Sequence, residues 1–486
     1  MNIISIISII ISGALYVLAF SPFDYKILMY FSIVLSHIVF FGSDRKDAMK
    51  YGYLYGLVIF SLGASWIFIS IYNFGGKDLF ISSLITIIFI LIQSSYFLLY
   101  TYFVNLNLLN QNRVIIFLFP ASLWVLMEFA RSNLLTGFPW LLVGVSQIHT
   151  IYDNIFPIFG TLSIGFIMVF LSTNLSLFFI QKNKKSFLIV VLSTFLILNI
   201  FSNYDFKWTK ESSDKISVGI MQPNIEQDFK FKKEGIIDIR RTLLSLSNNT
   251  NNDFLILPET VMPLIFREDD KFYKELLKNS ATNVISGIFR QNNEKVFNSL
   301  VLINDNVQYY DKRHLVPFGE YTPMKSILYP ISRLLSIPMS NLSSGQKKQK
   351  NLVVDNINFI PLICYESAYP ELVDMNGMNH SVILNVSNDS WFGDSLAPYQ
   401  HLQISQVRAL EFKRYLIRAA NTGISAIIDK DGHILEQLNL NTRDLLQSHI
   451  KTYTGKSLYS RFGDYPILML IFISIIFYFI KRKADG

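Results

Sequence analysis

Residues 79–104 run for 26 positions without a charged side chain, a length that argues for a membrane span over a buried core helix. About 20 predominantly apolar residues cross the hydrocarbon layer as a helix, which satisfies its own backbone polar groups. Comparable uncharged stretches occupy 3–20, 27–42, 51–74, 114–127, 155–180, 187–203 and 465–480. The stretch 114–127 is short and is expected to continue through Glu128. Eight membrane-spanning helices are expected.

The charges divide the chain in the same way. Residues 1–203 carry 16 of the 79 charged side chains, and the remaining 283 residues carry 63. This predicts a membrane domain over 1–203 with seven transmembrane helices and an extramembrane domain over 204–464. A C-terminal transmembrane helix and tail would fill 465–486. The first stretch lacks the basic n-region of a cleavable signal peptide, since the first lysine is Lys26, so it reads as a retained anchor.

Lys and Arg collect in cytoplasmic loops. Three basic clusters flank the apolar stretches: Arg45, Lys46 and Lys50; Lys182, Lys184 and Lys185; and Lys481, Arg482 and Lys483. Eight spans with a cytoplasmic N-terminus put all three in the cytoplasm, both termini included, and put 204–464 outside. A bacterial inner-membrane protein with a periplasmic domain fits this pattern. The net charge of +7 forms no dense basic patch, so no nucleic-acid partner is expected.

Polar residues inside the membrane part have two readings. Trp124, Glu128 and Arg131 recur at helical spacing and precede the loop TGFPW over 136–140. They are either an ion pair with an interfacial aromatic belt or the wall of a lateral opening for a lipid or an anchored protein. Gly75-Gly76, after the third span, reads as a loop signal.

The outer part alternates short β-rich runs (216–221, 254–257, 284–289, 299–303, 357–363 and 382–386) with helical patterns such as 236–246 and 400–416. That alternation predicts an α/β domain, with 341–351 as an exposed loop. Its only cysteine is Cys364, at the end of the apolar run FIPLIC. A lone cysteine is a buried filler, an intermolecular partner or a reactive thiol.

Two other strings carry candidate chemistry: ILPET, with Glu259, and YYDKRHLVPFGEYTP, with Lys312 and Glu320. Acyl transfer through cysteine needs a thiolate, and a nearby cation lowers a thiol pKa. A carboxylate can take the thiol proton and return it to the leaving group. A cation and backbone N–H groups can stabilise the oxyanion. Cys, Glu and Lys therefore form a complete set without histidine, metal or cofactor. Each alone reads equally as an ordinary strand-end or turn residue.

These strings resemble the nitrilase superfamily, whose Glu-Lys-Cys triad sits at strand ends of an α-β-β-α sandwich. With the membrane part, the chain resembles the apolipoprotein N-acyltransferase family. The likeness includes LAFSPFD (18–24), SWIFISIYNFGG (65–76), LTGFPWLLVGVSQ (135–147), NVSNDSWFG (385–393), RALEFKRYLIRAANTGISA (408–426) and RFGDYP (461–466).

The resemblance implies Glu259 as general base, Lys312 as oxyanion-stabilising cation and Cys364 as nucleophile. It implies substrate-binding or supporting positions at Glu320, Tyr365, Glu366, Phe231 and Trp391. Phe231 in QPNIEQDFKF stands where the family often has tryptophan, which retains an aromatic but lacks the indole N–H. The implied donor is a phospholipid, phosphatidylethanolamine, and the acceptor a diacylated apolipoprotein. Rival readings are weaker: a tethered amidase needs few anchors, and a transporter predicts charges within its spans. No histidine has an aspartate five positions on, and no GxSxG, HExxH or P-loop occurs.

Overall fold

The computed structural model describes residues 1–74, 78–105, 113–182, 184–197, 199–200, 207–248, 250–321, 341–374 and 379–484. Gly75-Gly76 and the end of YYDKRHLVPFGEYTP lie outside them. The chain forms two compact units: Met1–Ile71, Asp78–Phe206 and Leu458–Gly486 in one, Tyr72–Lys77 and Lys207–Ser457 in the other.

The first unit is helical: α1 Ile3–Leu18, α2 Leu28–Phe41, α3 Arg45–Gly63, α4 Ile67–Phe74, α5 Leu79–Val104, α6 Arg113–Asn133, α7 Phe156–Gln181 and α8 Lys184–Ile197. A last helix, Tyr465–Ala484, packs on α6. Among the described residues, α5 and α7 are long and apolar enough to cross a membrane. The stretch 51–74 is not one straight helix, because α3 and α4 meet at a 54° bend.

Several buried polar side chains inside this unit find partners, as an apolar medium favours. The Ser32 hydroxyl bonds Tyr55 at 2.7 Å, and the His37 ring bonds Tyr100 at 2.5 Å. Glu128 accepts from Trp124 Nε1 (3.2 Å) and Val143 N (2.9 Å), while Arg131 donates to the Phe138 and Trp140 carbonyls. Arg131 thus fastens the TGFPW segment onto α6, and Glu128 fastens the turn that begins at Val143.

Among its described residues the second unit holds twelve strands: β1 Thr209–Gln222, β2 Asn252–Ile256, β3 Ala281–Asn292, β4 Lys295–Ile303, β5 Val307–Asp311, β6 Leu352–Val354, β7 Ile357–Ile363, β8 Ser381–Ser387, β9 Leu416–Ala420, β10 Ala426–Ile428, β11 Ile434–Gln437 and β12 Asp444–Gly455. Their order is β11-β10-β9-β8-β12-β1-β2-β3-β4-β5, with β7 also on β8 and β6 on β7. The β12–β8 junction is one residue pair, Tyr453 with Ser381, so the sheet folds there into two halves.

Side-chain alternation explains why the halves face each other. Phe254 and Ile256 of β2 and Leu300 and Leu302 of β4 join Phe359, Ile363, Val382 and Leu384 in one core. The alternate residues Leu255, Val284, Val301 and Ile303 face the other way, onto helices α10 (Lys233–Ser247) and α11 (Lys271–Ser280). Strands buried on both faces read as the continuous apolar runs seen in the sequence. A buried helix, α12 (Ala397–Phe412), packs on β9. The layers are helix, sheet, sheet, helix.

Candidate active site

The site lies where apolar strands stop. Glu259 follows β2 by three residues, Lys312 follows β5 directly and Cys364 follows β7 directly. Apolar strands hold the carrying backbone rigid, and the polar residues after them leave the core.

Lys312 Nζ lies 3.2 Å from Glu259 Oε1 and 3.0 Å from Glu320. All three are buried, at 1%, 5% and 9% residue exposure. Asn298 of β4 donates its Nδ2 to both carboxylates, at 2.7 Å each. The second oxygen of Glu259 accepts from Asn388 N at 2.9 Å, and that of Glu320 from Val316 N at 2.8 Å. Both carboxylates are therefore fixed at two points. Gly287 of β3 makes room for this: a Cβ there would lie 2.5 Å from Glu259 Cα and from Thr260 N.

Cys364 opens the short turn Cys364–Ala368 at φ +52°. For a non-glycine residue this left-handed geometry costs about 1–2 kcal/mol, and the surroundings impose it. Glu366, fully buried, accepts from Ile363 N (2.8 Å), Arg313 N (2.7 Å), His314 N (3.1 Å) and Tyr310 Oη (3.1 Å). One carboxylate thus ties the cysteine turn to the segment that carries Lys312. Burial pushes the Glu366 carboxyl up, against these donors.

Burial tends to lower the Lys312 pKa, but Glu259, Glu320 and Cys364 outweigh it and raise it. Lys312 is therefore a fixed ammonium. Cys364 departs from the expectation that a neighbouring cation makes a low-pKa thiol. Burial first, and then the Glu259 carboxylate, push the thiol well above its ordinary value, against the pull of Lys312. The resting group is a thiol, so its proton must leave as the sulfur attacks.

This arrangement predicts opposite effects from one substitution. Glu259→Gln removes a negative charge beside the thiol, so alkylation of Cys364 by iodoacetamide at pH 8 should rise. The gain should be roughly tenfold for each pH unit by which the thiol titration falls. Acyl transfer in the same variant should fall by roughly 10²–10⁴-fold. Acyl transfer that stays at the wild-type rate would contradict the assignment of Glu259 as the base.

The other expected residues occupy varied positions. Tyr365 is partly buried against the sandwich core, with its ring 5.1 Å from Tyr369. Trp391 is half-buried in the turn Asp389–Phe392 after β8. Phe231 is 60% exposed and follows the short helix α9 (Gln227–Lys230).

Sequence reasoning did not find Asn298, Asn388 or Lys230. Lys230 is buried, and its Nζ lies 3.4 Å from Thr260 Oγ1. Burial pushes this ammonium down to about 8, against the attraction of Glu259. The usable signal for Asn298 was a lone amide inside the apolar strand KVFNSLVLI.

A thiol, a carboxylate and an ammonium at the strand ends of a four-layer sandwich match the carbon–nitrogen hydrolase class. Residues 218–457 match that family directly. Residues 12–174 match the apolipoprotein N-acyltransferase N-terminal domain.

The chain is 35% identical to an apolipoprotein N-acyltransferase of Coxiella burnetii, over 97% of this chain and 99% of that one. It is 36% identical to one of Haemophilus influenzae, over 98% and 95%. With one of Wigglesworthia glossinidia brevipalpis it shares 34% identity over 99% of each. This chain belongs to the apolipoprotein N-acyltransferase family.

Proposed function

We propose that this enzyme moves an acyl chain from a phospholipid, through a thioester on Cys364, to the α-amino group of a lipoprotein's N-terminal diacylglyceryl-cysteine. The observation that carries the reading is the buried cluster of Glu259, Lys312 and Glu320 beside the Cys364 thiol. It holds a base, a cation and a nucleophile, with Glu320 as a second carboxylate on the cation.

In the first half-reaction Glu259 takes the thiol proton as sulfur bonds to the ester carbonyl carbon. Lys312 stabilises the oxyanion. The ester C–O bond then breaks, Glu259 returns the proton to the departing alkoxide, and a lysophospholipid leaves. In the second half-reaction the neutral amine attacks the thioester. Glu259 takes a proton from nitrogen, the C–S bond breaks, and the proton returns to the thiolate. An amide results, and atoms and charge balance in each half.

Phosphatidylethanolamine is the proposed donor and a diacylated apolipoprotein the acceptor. Both substrates are anchored in the bilayer, so they reach the enzyme by lateral diffusion. That supports a multipass bacterial inner-membrane protein with eight spans and both termini cytoplasmic. It has a membrane domain over 1–203, a periplasmic catalytic domain over 204–464 and a final span and tail over 465–486. The basic clusters flanking the spans support this orientation.

The test is intact mass spectrometry of the purified protein incubated with phosphatidylethanolamine. A hydroxylamine-labile acyl adduct should form and should pass to a diacylated lipopeptide. Passage to water alone, with lipopeptide present, would make the enzyme a hydrolase.

A further inference from the structure

Behind the nucleophile lies a second buried polar cluster that the reaction above does not use. It comprises Asn385 and Ser387 of β8, Asp389 of the next turn, His401 of α12, Arg418 of β9 and Ser367 of the cysteine turn. All are at most 2% exposed. So many polar groups in a core require mutual hydrogen bonds, and here several converge on one atom, the carbonyl oxygen of Cys364. His401 Nε2 lies 3.1 Å from it, Ser367 Oγ 3.2 Å and Asn385 Nδ2 3.3 Å.

The partners decide the state of His401. A carbonyl only accepts and a guanidinium only donates, so Nε2 carries the hydrogen and shares it between Cys364 O and Ser367 Oγ, the latter at 2.9 Å. Nδ1 then takes the Arg418 Nη2 hydrogen, at 3.0 Å. Burial and the Arg418 charge both lower the imidazole pKa and keep the ring neutral. Asp389 Oδ1 lies 3.2 Å from the same Nδ1. That carboxylate is occupied by Ser387 Oγ at 2.7 Å and Arg418 Nη2 at 2.7 Å. Arg418 also donates to Asn385 Oδ1, so one guanidinium orients two of the three donors.

Cys364 O belongs to the same peptide unit as Tyr365 N–H. Donors on the oxygen draw charge toward it and strengthen that N–H as a donor, because hydrogen bonds in a low-dielectric interior polarise one another.

We infer that His401 is a positioning residue for the acyl transfer: its Nε2–H, with Asn385 and Ser367, fixes and polarises the Cys364–Tyr365 peptide so that the Tyr365 N–H serves the oxyanion. The inference rests on the Cys364 thioester reading. Its distinguishing property is that His401 matters to a step that forms an oxyanion and not to one that only needs sulfur.

The test compares wild type, His401→Gln and His401→Leu in the full-length protein in detergent, with phosphatidylethanolamine in single-turnover acylation. Iodoacetamide alkylation of Cys364 serves as the oxyanion-free control. Leucine should slow acylation roughly tenfold or more, below the 10²–10³ typical of deleting an oxyanion donor outright. Half-saturating lipid concentration and alkylation rate should stay near wild type. Glutamine, which can place an N–H near the Nε2 position, should recover most of the acylation rate.

Unchanged acylation in His401→Leu overturns the inference, and so does a parallel loss of alkylation, which marks a purely structural role. If leucine prevents folding, Gln against Asn decides, since Asn is too short to reach. Equal acylation rates in those two also overturn it. Failure of wild type to form a Cys364 adduct would instead remove the thioester reading.

Discussion

Cys364→Ala should abolish the acyl adduct and reduce lipopeptide N-acylation by about 10⁴-fold or more. Deleting a covalent nucleophile leaves only what binding and the oxyanion site supply. The structure gives the loss no easy detour, because Cys364 is the only cysteine of the chain. The protein should still fold: Cys364 is buried among apolar residues of the sandwich core, and truncation to alanine removes one sulfur atom. The measurement is intact mass after incubation with phosphatidylethanolamine, with circular dichroism as a folding check. A hydroxylamine-labile adduct that persists in the variant would place the acyl group on another residue and refute the mechanism.

Lys312→Met should be nearly as damaging, for two separable reasons. Methionine keeps the unbranched stem up to its last atom but not the charge. Losing the oxyanion partner should lower single-turnover acylation by roughly 10²–10³-fold. It also leaves the Glu259 and Glu320 carboxylates buried together on one Asn298 amide. Removing one partner of a buried ion pair costs about 3–5 kcal/mol, so the thermal midpoint should fall.

The pH dependence follows from the raised Lys312 pKa. A raised folded-state value means this stabilisation is complete below the unfolded value and is lost only as pH rises through the folded one. The wild-type contribution should therefore be flat between pH 6 and 9. A variant with normal acylation and an unchanged midpoint would contradict both arguments.

Much of this architecture was readable from residue type and spacing. The apolar runs 357–363 and 382–386 became β7 and β8 with almost unchanged limits, because strands buried on both faces carry little else. Strand β12 escaped notice because DLLQSHIKTYTG mixes polar and apolar residues along a half-exposed strand. Strand β9 escaped because the helical pattern was extended to 416. The helix ends at Phe412, and Lys413 takes a left-handed φ of +51°. Arg418 inside β9 also disguised a fully buried strand.

For the site, the strand-end strings gave Glu259, Lys312, Glu320 and Cys364, which the fold brings together, but not their supports. Asn388 reaches Glu259 across 129 positions of chain, a distance over which spacing carries no information. The sign of the thiol shift was likewise out of reach, since it depends on burial outweighing a neighbouring cation.

Gly287 gives the site a mechanical character. The loop that carries Glu259 rests directly on the backbone of β3, with no side chain between them. The position of the base is therefore set by main-chain contact across two strands, which resists displacement far better than a rotatable side chain does. A methyl group at 287 would act as a shim under that loop, lifting Glu259 without altering any charge in the cluster. The placing of Glu259, and of the proton transfer proposed for it, thus depends on a residue that contributes no functional group.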